Sequence, residues 1–169
     1  LDRHRVPWTS DGSGDFFQET EVATAVAFLE IVDNPRQDVP LLSVLTSPVY
    51  HFTGDDLAHL RARCPEGDLY RCVVEGETRG EEKCLHFLEQ LRHLRTRAVD
   101  LSGHKLLWYL YEYTGMLAIY GAMEGGRARQ ENLRLLHEYA RRFEQNGHQG
   151  VFGLVTQLRR RRESGQGLP

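Results

Sequence analysis

The stretch Gly121-Ala-Met-Glu-Gly-Gly-Arg-Ala-Arg-Gln-Glu-Asn-Leu133, with its continuation to Glu144, decides the fold of this 169-residue chain. Two adjacent glycines interrupt the preceding segment, and the residues after them follow the 3.6-residue period of an α-helix. The stretch therefore predicts a glycine break followed by a long amphipathic helix that packs on a core. The buried positions of that helix are predicted to be Leu133, Leu136, Ala140 and Phe143.

Helical patterns continue through the rest of the chain, and no convincing alternating strand pairs occur. Thr53 followed by Asp56 is a start signal, and Thr114-Gly115 is a stop signal. We expect an all-α fold: one irregular multi-helix domain of about seven to nine helices, with little or no sheet. The apolar helix that contains Trp108 should be central, with this side chain in the core. The predicted helices span about residues 21–32, 38–45, 53–60, 69–74, 81–98, 102–113, 116–122, 127–146 and 149–164.

The chain divides into an irregular segment at residues 1–18, a helical unit at 19–164 and a linker at 165–169. It lacks an initiator Met and a secretory signal, so we expect it to begin inside a longer reading frame. No apolar run approaches the ~20 residues that span a bilayer, so no membrane contact is expected. We expect a cytoplasmic protein whose cysteines are reduced thiols. These are Cys64, Cys72 and Cys84.

The net charge of −3 is unevenly distributed along the chain. Residues 1–126 carry 20 acidic and 12 basic side chains, whereas residues 127–169 carry nine arginines and four glutamates. A positive C-terminal third on an acidic body is compatible with a surface that faces phosphate. It is equally compatible with helices whose polar faces are rich in arginine.

The sequence contains no catalytic motif. It lacks a Gly-x-x-x-x-Gly-Lys-Ser/Thr phosphate loop, a Gly-x-Ser-x-Gly elbow and a His-Glu-x-x-His zinc helix. The acidic pairs Asp55-Asp56 and Glu81-Glu82 open predicted helices, where the helix dipole favours them. His86 and His93 can share a helix face, but two ligands make a weak metal site. No catalytic residue, metal or cofactor is therefore assigned to this chain.

Three segments carry a resemblance to a known family, and they occur in the family's order. They are Asp33-Asn-Pro-Arg-Gln-Asp38, the run from Leu101-Ser102 to Thr114-Gly115, and the run from Arg129 to Glu144. Together they resemble the AddA-type subunit of the bacterial ATP-dependent helicase–nuclease, a UvrD-like superfamily 1 DNA helicase. The resemblance covers about residues 6–168. It departs at Glu124, where the family often has proline, and at the unusually basic run Arg159–Arg162.

The resemblance implies that this piece is a helical 2B-like accessory subdomain of a larger parent protein. The parent would be an ATP-dependent 3'-5' DNA helicase and exonuclease that resects broken DNA ends for recombinational repair. ATP and Mg would bind to the parent outside this chain, and the nuclease domain would follow it. The implied partners are duplex or forked DNA, the motor domains of the same parent chain, and the partner nuclease subunit.

The candidate DNA-binding residues each have a structural alternative. Arg36 lies in a tight turn and could bond backbone carbonyls instead, and Asn132 could cap a loop. The helix dipole disfavours cations at Arg127 and Arg129, so their partner is either phosphate or an acidic residue on an adjacent helix. The basic run near the C-terminus equally suits a solvated helix end. The full set is Arg36, Arg127, Arg129, Asn132, Arg159 and Arg160.

Three functions remain open for the chain. The first is an accessory subdomain that engages duplex DNA through its backbone and sets the conformation of the motor. The second is a protein-interaction module that docks the partner nuclease subunit or the motor domains without touching DNA. The third, a free-standing helical enzyme, is disfavoured by the missing motifs. Salt-sensitive binding to forked duplex would separate the first two.

Overall fold

The structure is a computed structural model that describes residues 16–147 and 150–169. Within these ranges the chain forms a short 3-10 helix, Phe16–Gln18, then nine α-helices and no β-strand. The all-α prediction is confirmed, at the upper end of the expected number of helices. The helices are α1 Thr20–Asp33, α2 Asp38–Leu45, α3 Gly54–Arg63, α4 Leu69–Thr78, α5 Glu82–Asp100, α6 Gly103–Thr114, α7 Met116–Gly121, α8 Gly126–Gln145 and α9 Val151–Glu163.

Helix α1 is the most enclosed element of the fold. It packs against α2, α5, α8 and α9, and eleven of its 14 residues are buried. A helix that is apolar on nearly all sides is stable only when other helices cover it. Helix α6, which the sequence placed at the centre, buries Leu106, Leu107, Leu110 and Tyr111. However, Trp108 is only half-buried, so the prediction that this side chain lies in the core was wrong.

The predicted glycine break is a tight turn between α7 and α8. Gly125 has a φ of 68°, a conformation that favours glycine. A Cβ atom on Gly126 would lie only 1.9 Å from the carbonyl oxygen of Gly121, so the two helix ends meet closely. Beyond this turn, α8 buries Leu133, Leu136, Tyr139 and Ala140, which confirms the amphipathic stripe.

Local signals in the sequence predicted several helix ends correctly. The Thr53 hydroxyl accepts a hydrogen bond from the Asp56 amide at 3.1 Å, and the Asp56 carboxylate accepts one from the Thr53 amide at 2.7 Å. Gly115 ends α6 in the left-handed conformation. Helix α4 runs beyond its predicted end, to Thr78, because Gly76 packs against the buried thiol of Cys84 instead of lying in a loop.

The two ends of the chain relate differently to their predicted segments. Most of the segment 1–18 lies outside the described residues. The tail at 165–169 folds back on α9, where the Arg161 guanidinium donates to the Gly167 carbonyl at 2.6 Å. The segment boundaries stay predictions. Cys64, Cys72 and Cys84 are free and buried, as expected, and no described helix is long and apolar enough to cross a bilayer.

Candidate nucleic-acid interface

Two of the six candidate DNA-binding residues contact a buried glutamate of α1. Glu21 is fully buried. Its carboxylate accepts hydrogen bonds at 2.8 Å from the Arg129 guanidinium and at 2.8 Å from the Asn132 amide, both on α8. Arg129 also donates to the Thr20 hydroxyl at 2.9 Å and to the Glu124 carbonyl at 3.0 Å. In this structure, both candidates serve the packing of α8 on α1.

A third candidate, Arg159, belongs to a similar cluster between α1 and α9. Glu30 is 4% exposed, and its carboxylate accepts hydrogen bonds from Arg159 at 3.0 Å and from Arg162 at 3.1 Å. Arg159 also donates to the side-chain oxygen of Gln37. Gln37 in turn donates to the Glu30 carbonyl at 3.0 Å. Half of the basic run on α9 is therefore part of a helix-packing contact.

The Asp33–Asp38 run, which carries the most specific part of the resemblance, connects four helices. Besides the Gln37 contacts with α1 and α9, the Asp38 carboxylate accepts a hydrogen bond from the Leu69 amide of α4 at 3.0 Å. Arg36, a fourth candidate, donates to Asp68 at 2.8 Å and lies 5.4 Å from the ring centroid of Tyr70. The Arg36 side chain nevertheless stays 62% exposed, so its outer surface is accessible.

Arg127 and Arg160 differ from the other four candidates. Both are exposed, and neither side chain has a partner among the residues that the structure describes. Arg127 opens α8, and Arg160 lies in the last turn of α9. DNA contact by any of the six residues stays a prediction, but these two carry the only candidate guanidinium groups without an internal partner in the described chain.

The basic C-terminal third is largely neutralised within the fold. Of its nine arginines, six contact carboxylates: Arg129, Arg134, Arg141, Arg142, Arg159 and Arg162. Arg161 contacts the Tyr139 hydroxyl and the Gly167 carbonyl. Most of the positive charge that suggested a phosphate-facing surface therefore offsets acidic groups of the same molecule.

A groove of about 620 Å³ between α6 and α8 brings together residues that the sequence analysis did not connect. Helix α6 contributes His104, Lys105 and Trp108, and helix α8 contributes Arg134, His137, Glu138 and Arg141. The Trp108 and His137 ring centroids are 5.0 Å apart. The Trp108 indole N–H donates to Glu112 at 3.0 Å, which fixes the orientation of the indole.

The groove carries more positive than negative charge. Lys105 is exposed and has no partner among the described side chains. Arg134 contacts the exposed Glu131 at 3.2 Å, and Arg141 bonds Glu138 through two nitrogens at 2.7 and 2.9 Å. The hydrogen bonds from Arg141 lower the pKa of the Glu138 carboxyl to about 2. Glu138 is therefore ionised at neutral pH, and the three cations outnumber it.

The histidines of the groove are held by burial and by Glu144. Burial, and to a smaller extent the charge of His104, lowers the pKa of His137 below its usual value. His137 is therefore neutral at pH 7. The Glu144 carboxylate accepts a hydrogen bond from the His104 amide at 2.9 Å and lies 2.6 Å from its Nδ1 atom. Glu144 thus caps α6 from α8, in place of the Ser102 side chain, and fixes the distance between the groove walls.

The signal for this groove was present in the sequence but divided between two helices. Arg134, His137 and Arg141 are spaced three and four residues apart, so they share one face of α8. Lys105 and Trp108 share one face of α6 for the same reason. Nothing in the sequence indicated that these two faces lie side by side. Across residues 16–147 and 150–169, no group of three His, Cys, Asp or Glu side chains converges to hold a metal ion.

Comparison with known proteins places the chain beside one type of enzyme component. It is 38% identical over 168 residues to the AddA-type subunit of the ATP-dependent helicase/nuclease of Pelotomaculum thermopropionicum, an alignment that covers 97% of this chain. The corresponding proteins from Acetivibrio thermocellus and Clostridium novyi are 40% and 35% identical over 89% and 92% of the chain. The chain spans only 12–13% of the length of these relatives. No protein-family model matches it.

Proposed function

Because the chain belongs to the AddA-type family of ATP-dependent helicase/nuclease proteins, as a stretch of about 13% of its relatives' length, we propose that it is an accessory, 2B-like subdomain of a DNA helicase–nuclease. The observation that carries this proposal is similarity over 97% of the chain to a protein of that family. The parent protein would act in the cytoplasm on broken DNA ends during recombinational repair.

The role of the subdomain in this proposal is mechanical. ATP and Mg would bind to motor domains elsewhere in the parent, and these helices would hold duplex DNA by its phosphates and set the position of the motor. The exposed Arg127 and Arg160 support a phosphate contact, because their guanidinium groups have no partner among the described residues. Contacts of this kind position a protein on DNA without reading its sequence.

A second candidate function is docking on the motor domains of the same parent, or on the partner nuclease subunit. It is supported by an apolar surface groove of about 410 Å³ between α2, α3 and α4. Val39 and Leu42, which line this groove, are 81% and 44% exposed. Exposed apolar patches of this kind are typical of protein–protein contacts.

Binding of the 169-residue chain to a fluorescein-labelled forked duplex separates the two functions. We expect fluorescence anisotropy to report binding that weakens steeply as salt rises, because each neutralised phosphate releases counterions. The affinity should be the same for duplexes of unrelated sequence. Absence of salt-sensitive binding at high micromolar protein would overturn the duplex-binding function and favour docking.

A further inference from the structure

We infer that the groove between α6 and α8 binds one unpaired nucleotide of a DNA strand, with its base beside Trp108 and its phosphate against Lys105, Arg134 and Arg141. This inference rests on the proposed role in a DNA helicase–nuclease and names a second mode of DNA contact for it. The duplex contact proposed above involves Arg127 and Arg160, neither of which lines this groove.

The aromatic wall of the groove fits a nucleobase. Trp108 is only half-buried, although a tryptophan on an apolar helix normally lies in the core. Its N–H bond to Glu112 and its contact with the His137 ring fix the indole at the edge of the groove. Single-strand-binding proteins use aromatic side chains in fixed positions as stacking surfaces, because every base presents a π face.

The cations of the groove retain free hydrogen-bond donors for a phosphate. A guanidinium has five N–H donors. Arg134 uses one of them on Glu131, and Arg141 uses two on Glu138. The Lys105 ammonium has no partner among the described residues. A planar aromatic wall beside three cations matches a unit that is both aromatic and anionic.

The volume of the groove favours a single nucleotide over a duplex. About 620 Å³ lies within the range of sites that enclose a small molecule, whereas a duplex needs a broad convex or channel-like surface. An acidic peptide would satisfy the cations but would leave the Trp108 ring without an aromatic partner. We therefore assign the groove to single-stranded DNA and keep the acidic peptide as an outcome of the test.

Trp108 itself can report on occupancy. The chain has two tryptophans, so a Trp8→Phe variant leaves Trp108 as the only indole. We expect a dT10 oligonucleotide to quench the fluorescence of this variant, with an affinity that decreases as salt rises. A poly-glutamate peptide of equal length should produce no quenching at the same concentrations.

Substitutions test the site by anisotropy of fluorescein-labelled dT10. Trp108→Ala should weaken binding roughly 5- to 150-fold, the range found for loss of one stacked base, whereas Trp108→Phe should retain most of the affinity. The double variant Lys105→Gln/Arg134→Gln should weaken binding and reduce its salt dependence. Arg63→Gln is the matched control: Arg63 is exposed on α3, outside the groove, and its side chain has no partner in the described chain.

The outcomes distinguish this inference from the proposed duplex contact. Loss of dT10 binding in Trp108→Ala, with duplex binding and thermal midpoint unchanged, would support the groove as a separate site. Duplex binding without any quenching by dT10 would overturn the groove while leaving the proposed function intact. Equal loss in Arg63→Gln, or tighter binding of poly-glutamate than of dT10, would also overturn it. Binding of dT10 without duplex binding would instead contradict the duplex contact.

Discussion

Glu21 and Glu30 are carboxylates in a helix that is otherwise apolar on nearly every side. Removing a carboxylate from water costs free energy unless ionic and hydrogen-bonding partners replace the water. Three arginines, Arg129, Arg159 and Arg162, provide those partners from α8 and α9. The positions of these three arginines are therefore explained by packing, without reference to DNA.

Removal of the Glu21 carboxylate should destabilise the fold strongly. Glu21→Ala leaves Arg129 and Asn132 without their partner at the α1–α8 contact, and breaking a buried ion pair costs about 3 kcal/mol or more. Urea unfolding followed by circular dichroism measures the change. Glu131→Ala is the control, because Glu131 forms an exposed pair with Arg134 and should cost less than about 1 kcal/mol. Equal costs for the two variants would contradict the structural role of Glu21.

Asp56 should make a pH-dependent contribution to stability. The hydrogen bond from Lys83, followed by the bond from the Thr53 amide, lowers the pKa of Asp56 to about 2. The pKa of an unfolded-state Asp is about 3.9, so the ionised group stabilises the fold above pH 4, and this contribution is lost as the pH falls toward 2. Asp56→Asn should therefore cost up to about 1 kcal/mol at pH 7 and progressively less at pH 4 and pH 3.

The same unfolding series with Asp55→Asn provides the control for Asp56. Asp55 is its exposed neighbour in the first turn of α3, so it has the same helix dipole but lacks the Lys83 and Thr53 contacts. We expect a smaller cost that varies less with pH. A cost for Asp56→Asn that is constant from pH 7 to pH 3 would show that the lost stability does not come from its charge.

At the scale of helices, the sequence predicted what is local and missed what depends on distant contacts. The capping box at Thr53 and the end of α6 at Gly115 are set by residues within a few positions, so they could be predicted. Helix α4 extends past Val74 because Gly76 faces a cysteine of α5, which no local pattern shows. The groove could not be predicted for the same reason: its two faces lie on helices separated by α7 and a turn.

The junction of α6 with α8 and α9 depends on the absence of a side chain at Gly103. A Cβ atom there would lie 2.4 Å from Glu144 Oε1 and 2.9 Å from Leu154 Cδ2. Gly103→Ala should therefore displace the carboxylate that caps α6 and destabilise the fold by about 1–3 kcal/mol, although alanine is the better helix former. Thermal and urea unfolding measure the effect.

Gly153 provides a matched comparison on α9. No atom lies within 4 Å of the position that its Cβ would take, so Gly153→Ala should stabilise the protein by up to about 1 kcal/mol. If both alanine variants were stabilising, the close contact at Gly103 would not constrain the fold, and Glu144 would not fix the groove walls.

At the scale of the whole molecule, the uneven charge along the sequence becomes an internal balance. The acidic N-terminal part contributes Glu21 and Glu30, and the basic C-terminal third contributes the arginines that bind them. Charge segregation along a chain therefore does not imply a basic surface in the folded protein. The cations available to a ligand are the few without an internal partner, and this distinction leads to a prediction about DNA.

Exchange of Arg127 and Arg160 for glutamine should weaken duplex binding without unfolding the protein. If each guanidinium contacts one phosphate, the slope of log affinity against log salt should become shallower by about 1.8. The thermal midpoint should stay unchanged, because neither side chain has a partner in the described residues. The matched variant Arg129→Gln/Arg159→Gln removes the same charge from the buried clusters, so it should lower the midpoint instead. An unchanged salt slope in Arg127→Gln/Arg160→Gln would show that duplex DNA binds elsewhere on the molecule.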